Sequence, residues 1–253
     1  MKTLLSLTGG ILAATTLGLS AQTTLIEVRL NALGPTNYAP LAAVFHDGSY
    51  DIFDPGGSAS SELETLAEVG DPGPLLGAIP GSANGGTNGG PTFSGGFTTF
   101  QVLVDNTNTF FNFASMVLPT NDWFIGNPNA IDVSSVVGAA FGTTLTITPP
   151  SVWDAGTEQE DFLFNAPPNT PGPNNPPGGN PDDVSTIEIV GTSSVGGGNP
   201  FAQFLNQPVG FDPTSLDFTG SDFASITLTV VPEPSTGLLA GLGLLGLLRR
   251  RRR

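Results

Sequence analysis

The sequence predicts an all-β protein, an antiparallel β-sandwich of about eight strands with one short helix and an apolar helix at each terminus. Glycine (34) and proline (23) together exceed a fifth of the 253 residues, too many for a helical bundle. Short β-branched and aromatic runs are separated by turn residues throughout the chain. Hydrophobic residues make up 38%, enough for the core of one domain over residues 22–231.

Strands are predicted where apolar residues alternate with polar ones or where β-branched residues cluster. In the first strand, residues 24–30, the side chains of Ile26, Val28 and Leu30 lie on one face. Residues 97–104 and 109–118 are separated only by the turn residues 105–108, a spacing that predicts a hairpin. The remaining strands are expected at residues 143–148, 186–190 and 224–231.

One segment has the pattern of a capped helix. Ser61 and Glu64 have the spacing of a capping box, and Gly70 suits the C-terminal cap. The apolar stripe between them consists of Leu63, Leu66 and Ala67. Residues 81–91 and 165–183 are rich in glycine or proline and are expected to form mobile loops.

The N-terminus has the organisation of a secretory signal peptide. Lys2 precedes an apolar run, and small residues at Ser20 and Ala21 mark a cleavage zone, so that residues 1–21 would be removed. A buried helix is the alternative interpretation of the apolar run. We therefore expect an exported mature protein that begins near Gln22.

The C-terminal residues 232–253 combine three features in a fixed order. Pro232, Glu233 and Pro234 come first. The run of Leu, Gly, Ala, Ser and Thr that follows is, as a helix, shorter than the thickness of a typical hydrocarbon core. Five arginines end the chain and would stop transfer across the membrane: Arg249, Arg250, Arg251, Arg252 and Arg253. This order closely resembles the PEP-CTERM sorting signal. The resemblance implies transient membrane anchoring, recognition by an exosortase-type membrane protease, and display on the cell surface or release into the extracellular matrix; a permanent anchor is the alternative.

The charge distribution restricts the possible partners. The chain has 22 acidic and 7 basic residues, a formal net charge of −15, and Arg29 is the only basic residue between Lys2 and Arg249. Nucleic acids and anionic headgroups would be repelled, whereas divalent cations, calcium above all, suit such an acidic body. The alternative is that the acids simply keep the surface soluble.

Composition also argues against most catalytic sites. The chain has no cysteine and a single histidine, His46, which excludes disulfides, thiolate zinc sites, multi-histidine metal sites and a cysteine nucleophile. No Gly-x-Ser-x-Gly elbow is present, and His46 lies among aromatic residues, where a structural role is expected. We therefore expect a protein that is not an enzyme.

Two segments place an acid beside a tryptophan where a predicted strand has just ended. They are Asp122–Trp123 and Trp153–Asp154, and Ala-Gly-Thr separates Asp154 from Glu158 so that the chain can curl and direct both acids to one point. A third segment, residues 45–56, also combines acids with aromatic residues. The alternative to a cation-binding role is that these acids stabilise turns by accepting hydrogen bonds from local amides.

These segments resemble the N-terminal domain of the spondin family. The family pattern Ser-Pro-Asp-Trp-Phe-Val-Gly matches residues 120–126, Trp-Asp-Ala-Gly-Thr-Asp matches residues 153–158, and the segment around His46 resembles bacterial members. The resemblance covers most of residues 24–231 and implies an eight-stranded antiparallel sandwich that holds one calcium ion and functions in matrix adhesion.

The same resemblance implies which residues bind calcium. The ligating acids correspond to Asp122, Asp154 and Glu158, the last being Asp in the family. A further family acid corresponds to Leu103, and the nearby Asp105 is added as a candidate; the cysteines of animal members are absent.

The function expected from all of this is an exported, calcium-binding adhesion module at the cell surface or in the matrix, with extracellular polysaccharide as a possible partner class. Two alternatives stay open. One is an extracellular polysaccharide hydrolase that uses carboxylates near Asp122 and Asp154. The other is a purely structural envelope protein in which calcium only holds loops together.

Overall fold

The computed structural model describes residues 22–34, 36–118, 120, 122–157, 186–190 and 223–233. Within this part of the chain, two antiparallel β-sheets pack face to face, as predicted, and two helices cover the outer face of the second sheet. None of the helices in these residues is long and apolar enough to cross a membrane. The predicted signal peptide, the apolar tail and the loop at 165–183 lie outside the described residues.

The first sheet has the strand order β5-β1-β12-β9, and all neighbours are antiparallel. Its strands are β1 (Thr23–Ala32), β5 (Phe97–Asp105), β9 (Thr144–Ile147) and β12 (Ala224–Val230). In β1, Ile26, Val28 and Leu30 are buried and alternate with half-buried residues, which confirms the predicted inward face.

The second sheet has the order β11-β10-β7-β6-β3-β4, and β2 and β8 also pair with β6. Its strands are β2 (Asn37–Tyr38), β3 (Ala42–His46), β4 (Asn84–Thr87), β6 (Phe110–Leu118), β7 (Trp123–Gly126), β8 (Ile131–Asp132), β10 (Val152–Asp154) and β11 (Glu188–Ile189). The described residues thus contain more strands than predicted, because several are only two to four residues long and give no periodic signal.

The predicted helix is α1 (Ser61–Val69), which packs on β6 and β7 through Leu63, Leu66 and Ala67. Its cap is one residue earlier than predicted, because the Ser60 hydroxyl accepts the Leu63 amide at 3.2 Å. Gly70 ends the helix in the left-handed conformation, as expected. A second helix, α2 (Gly73–Ala78), was not predicted, because its six residues include two glycines and a proline.

The predicted hairpin of residues 97–118 is wrong. Strand β5 pairs with β1 in the first sheet, whereas β6 pairs with β3 and β7 in the second, so the turn at 105–108 passes from one sheet to the other. The burial patterns give the physical reason. Strand β5 alternates between exposed and buried residues, whereas β6 is buried on both faces between the inter-sheet core and the helices.

The glycine-rich segment 81–91 is not simply a loop, since β4 (Asn84–Thr87) within it pairs with β3. A Cβ atom at Gly85 would lie 2.8 Å from Ile79 Cδ1, and one at Gly86 would lie 2.9 Å from Val102 Cγ2. These glycines therefore let the strand approach α2 and β5 closely, which is a packing role and not a turn signal.

Two hydrophobic layers result from this arrangement. The first fills the space between the sheets and includes Trp123, Phe111 and Phe113. The second lies between the second sheet and its helices and includes Phe124 and Trp153. The predicted core of one domain is therefore divided by the second sheet.

The sandwich has two ends that matter for function. At the terminal end, β1 begins, β12 ends, and the turn after Asp105 leads into β6. At the loop end, β6 finishes at Leu118 and β7 begins at Trp123. Nine residues of β6 separate the two ends by about 26 Å.

Candidate functional site

Asp122 lies at the loop end, directly before β7, and its side chain is fully buried. Its Oδ2 accepts hydrogen bonds from the Thr157 amide at 3.0 Å and from the Thr157 hydroxyl at 3.3 Å. Thr157 is 35 residues further along the chain, so these bonds join the two acid-containing segments. The side chain of Asp122 thereby fixes the turn that follows β10.

Asp154 lies at the end of β10 and is paired in register with Trp123, the residue next to Asp122. The Ala155 amide donates to the Asp122 carbonyl at 3.3 Å and so continues the ladder beyond the strands. Asp154 Oδ1 accepts the Gly156 amide at 2.7 Å, and Gly156 has the positive φ (65°) that this turn requires. The structure therefore places Asp122 beside the turn that contains Asp154.

The two tryptophans anchor this pair of loops from opposite sides of the second sheet. Trp123 is buried between the sheets, whereas Trp153 belongs to the layer under the helices. The Trp153 indole donates to the Gly126 carbonyl at 3.2 Å and contacts the Phe53 ring edge-on at 5.2 Å between centroids. Large aromatic anchors of this kind hold the carboxylates in fixed positions.

Glu158 follows Thr157 directly in the chain and lies outside the described residues. Within those residues, no three acidic or histidine side chains converge in a way that could hold a metal ion. Of the three main candidate ligands, Asp122 and Asp154 lie in the described residues, and Thr157, which is bonded to Asp122, directly precedes Glu158 in the sequence.

Asp105 is not brought to this loop pair. It ends β5 at the terminal end, about 26 Å from Asp122 along β6. Its Oδ1 accepts the amide and the hydroxyl of Thr107, each at 2.9 Å, and these bonds lower the pKa of Asp105 below its ordinary value. Asp105 thus has the local, turn-stabilising role.

His46 also lies at the terminal end, opposite Phe110, and is buried. Its Nδ1 accepts the Gly48 amide at 3.1 Å, so Nε2 carries the proton and donates to Asn112 Oδ1 at 2.7 Å. Both ring nitrogens are used to hold the chain, which is the structural role expected from the sequence.

The family to which the chain belongs follows from comparison with family models. The model described as Spondin_N matches residues 32–176, more than half of the chain. The chain belongs to the spondin N-terminal family. The matched range includes both tryptophan motifs and the turn that Asp122 fixes. Among curated proteins, a search finds no match.

A second model, the PEP-CTERM protein-sorting motif, matches residues 230–253. This match confirms the predicted sorting segment and implies processing by an exosortase-type membrane enzyme. The spondin-type protein is therefore exported, displayed at the cell surface and transiently anchored by its C-terminus.

Sequence reasoning did not assign a role to Thr157 or to Thr120. The Thr120 hydroxyl donates to the Val117 carbonyl at 2.5 Å and accepts the Trp123 amide at 3.2 Å, so it shapes the turn before β7. A threonine in a predicted turn indicates that its hydroxyl can bond to the nearby backbone, and this pattern could have identified Thr120. The partner of Thr157 depends on strand register and is not visible in the sequence.

Proposed function

We propose that this spondin-type domain binds one calcium ion at the loop end through Asp122, Asp154 and Glu158. The observation that carries the proposal is the bonding of the buried Asp122 carboxylate to Thr157, in a turn that contains Asp154 and leads directly to Glu158. Carboxylates and backbone carbonyls from two adjacent turns are the oxygen donors that calcium prefers.

The composition of the body supports a cation and not an anion as the ligand. Arg29 is the single basic residue between Lys2 and Arg249, against 22 acids in the chain. A divalent cation relieves repulsion between neighbouring carboxylates, whereas an anionic ligand would add to it. The all-oxygen set of candidates, without cysteine or a second histidine, favours calcium over zinc or copper.

The role that suits this site is adhesion and not catalysis. The protein is exported and displayed at the cell surface, where calcium and polyhydroxyl polymers meet it. A calcium ion held at the rim of a sandwich can complete its coordination with hydroxyl or carboxylate oxygens of an extracellular polysaccharide. Both nitrogens of His46 are engaged in structural bonds, which supports a non-catalytic role for the only imidazole.

Thermal unfolding with and without calcium tests the proposal. Calcium at about 100 times its dissociation constant stabilises a protein that binds it only when folded by about 2.7 kcal/mol, which corresponds to roughly 5–10 °C in Tm. The variant Asp122→Asn keeps an oxygen that can accept the Thr157 bonds but removes the charge. We expect it to lose the calcium-dependent shift in Tm.

Asp105→Asn is the matched control, because the same change is made to an acid at the other end of the sandwich. It should leave the calcium shift intact. The site would be refuted if Asp122→Asn kept the full calcium-dependent shift in Tm. It would also be refuted if the unmodified protein gave the same melting curve in calcium and in chelator. The same two variants test adhesion: binding to the exopolysaccharide of the producing cell should require calcium and should be lost only in Asp122→Asn.

A further inference from the structure

The two export segments leave the domain at the same end. Strand β1 begins at Thr23, directly after the predicted signal peptide, and β12 ends at Val230, directly before the sorting motif. The two strands are antiparallel neighbours in the centre of the first sheet, with Ile26 opposite Val230. The sorting segment therefore continues from the terminal end of the sandwich, and the loop end lies at the opposite end.

Contacts with β1 continue beyond the end of β12 into the sorting motif. The Val231 amide donates to the Leu25 carbonyl at 2.9 Å. The Thr23 hydroxyl donates to Glu233 Oε1 at 3.2 Å, so the central residue of the Pro-Glu-Pro motif is bonded to the first strand. Only Val231 separates the end of β12 from Pro232, and the motif therefore has no spacer from the folded domain.

A protease binds its substrate as an extended chain, whose backbone and side chains contact the enzyme. Here the backbone amide before the motif and the carboxylate inside it are already used by β1. We propose that the start of β1 acts as a latch for the sorting motif, so that residues 231–233 must detach from β1 before the exosortase-type enzyme can process the tail.

The latch belongs to the folded state, because β1 is formed by the first residues of the domain and β12 by the last. The Thr23–Glu233 contact spans 210 residues and exists only when both strands pair. Chain ends detach by local opening at a low free-energy cost, so the latch slows processing without preventing it. Processing is thereby coupled to the pairing of β1 with β12.

Pulse-chase measurement of precursor and processed forms in the producing cell tests the latch. Thr23→Val removes the hydroxyl but keeps the shape and the β-branching of the side chain. Loss of this one partly buried hydrogen bond should speed processing about two- to fivefold. Thr99→Val is the matched control, because Thr99 is an exposed threonine of the same sheet on β5, and its processing rate should equal that of the unmodified protein.

Equal processing rates in Thr23→Val and Thr99→Val would contradict the latch. Slower processing of Thr23→Val would also contradict it, because the Thr23–Glu233 contact would then help to present the motif to the enzyme. Hydrogen exchange on the full-length precursor gives a second measurement. The Val231 amide should exchange more slowly than in an unstructured peptide, and Thr23→Val should speed its exchange. Exchange at the unstructured rate in the unmodified precursor would show that no latch exists.

Discussion

At the scale of single residues, buried amide side chains replace missing parts of the backbone ladder. Asn127 follows β7, where its Oδ1 accepts the Phe113 amide at 2.9 Å. Its Nδ2 donates to the carbonyls of Phe111 at 3.0 Å and Asn129 at 2.8 Å. Because these groups of β6 are buried, Asn127 satisfies polar atoms that water does not reach.

Replacing Asn127 by alanine should therefore destabilise the domain strongly. The Phe113 amide and the Phe111 carbonyl would both remain buried without this partner, and each such group costs about 1–3 kcal/mol. We expect a loss of about 3 kcal/mol in the free energy of unfolding, measured by urea denaturation. Asn129→Ala, which removes an exposed side chain but keeps its carbonyl, should change that free energy by less than about 0.5 kcal/mol. Similar effects of the two substitutions would contradict this role for Asn127.

The candidate site shows how far residue types alone can predict a structure. Asp122 and Asp154 lie on neighbouring loops, and the tryptophan beside each acid, which is visible in the sequence, fixes its strand in the core. The pairing of Asp122 with Thr157 was not predictable, since it depends on the register between β7 and β10. Asp105 was proposed from proximity along the chain, and the passage from one sheet to the other carries it to the far end.

At the scale of elements, α1 and its C-terminal glycine show that a local signal can also carry a tertiary constraint. The helix was predictable from its apolar stripe and its caps, which are properties of adjacent residues. The fit of its end against the sheet was not predictable. Gly70 has a φ of 73°, and a Cβ atom there would lie 2.7 Å from the Cβ of Ala39 and 3.5 Å from Met116 Sδ.

Gly70→Ala should therefore cost more than a change of backbone conformation alone. The left-handed conformation costs a residue with a Cβ about 1–2 kcal/mol, and the contact with Ala39 adds an overpacking term of about 1–3 kcal/mol. Gly56→Ala is the matched control, because Gly56 has a φ of 79° but open space around its Cβ position. Urea denaturation should show a larger loss of stability for Gly70→Ala than for Gly56→Ala. Equal losses would mean that α1 shifts freely on the second sheet.

The same scale explains why strand order was harder to predict than strand position. Strands β1, β5, β6, β9 and β12 all lie close to the predicted ranges. Pairing depends on which faces are buried, and the continuous burial of β6 distinguishes it from β5, which alternates. A hairpin would have required both strands to share one sheet and one periodicity. The glycines of β4 led to the wrong prediction of a loop, because glycine usually indicates a turn. Their actual role is close packing against α2 and β5, which is not visible in the local sequence.

At the scale of the whole molecule, acids far outnumber basic residues, and Arg29 is the single arginine between Lys2 and Arg249. Within the part of the chain that the structure describes, Arg29 forms no ion pair with an acid. Its Nε donates to Asn31 Oδ1 at 2.7 Å, and its guanidinium lies 3.6 Å from the centre of the Phe97 ring. The acids Asp47, Asp105 and Asp132 instead accept hydrogen bonds from their own turns, which lowers the pKa of each carboxyl and keeps it charged. The folded state therefore retains repulsion that the extended chain relieves.

Sodium chloride should consequently stabilise the calcium-free domain. Raising the ionic strength from 0.01 to 1 M shortens the Debye length from about 30 Å to about 3 Å, so the repulsion between exposed carboxylates is largely screened at the higher value. We expect the Tm in chelator to rise by several degrees over this range. Sodium sulfate is not a suitable salt for this test, because sulfate also strengthens apolar burial.

Magnesium chloride at matched ionic strength separates screening from specific binding. It should raise the Tm as much as sodium chloride does. Calcium chloride should raise the Tm further, and Asp122→Asn should lack this additional increase. A Tm that falls or stays constant as sodium chloride is added would contradict this prediction, because it would show that the acids do not repel one another in the folded domain. The preference for a divalent cation would then depend only on the geometry of the loop end.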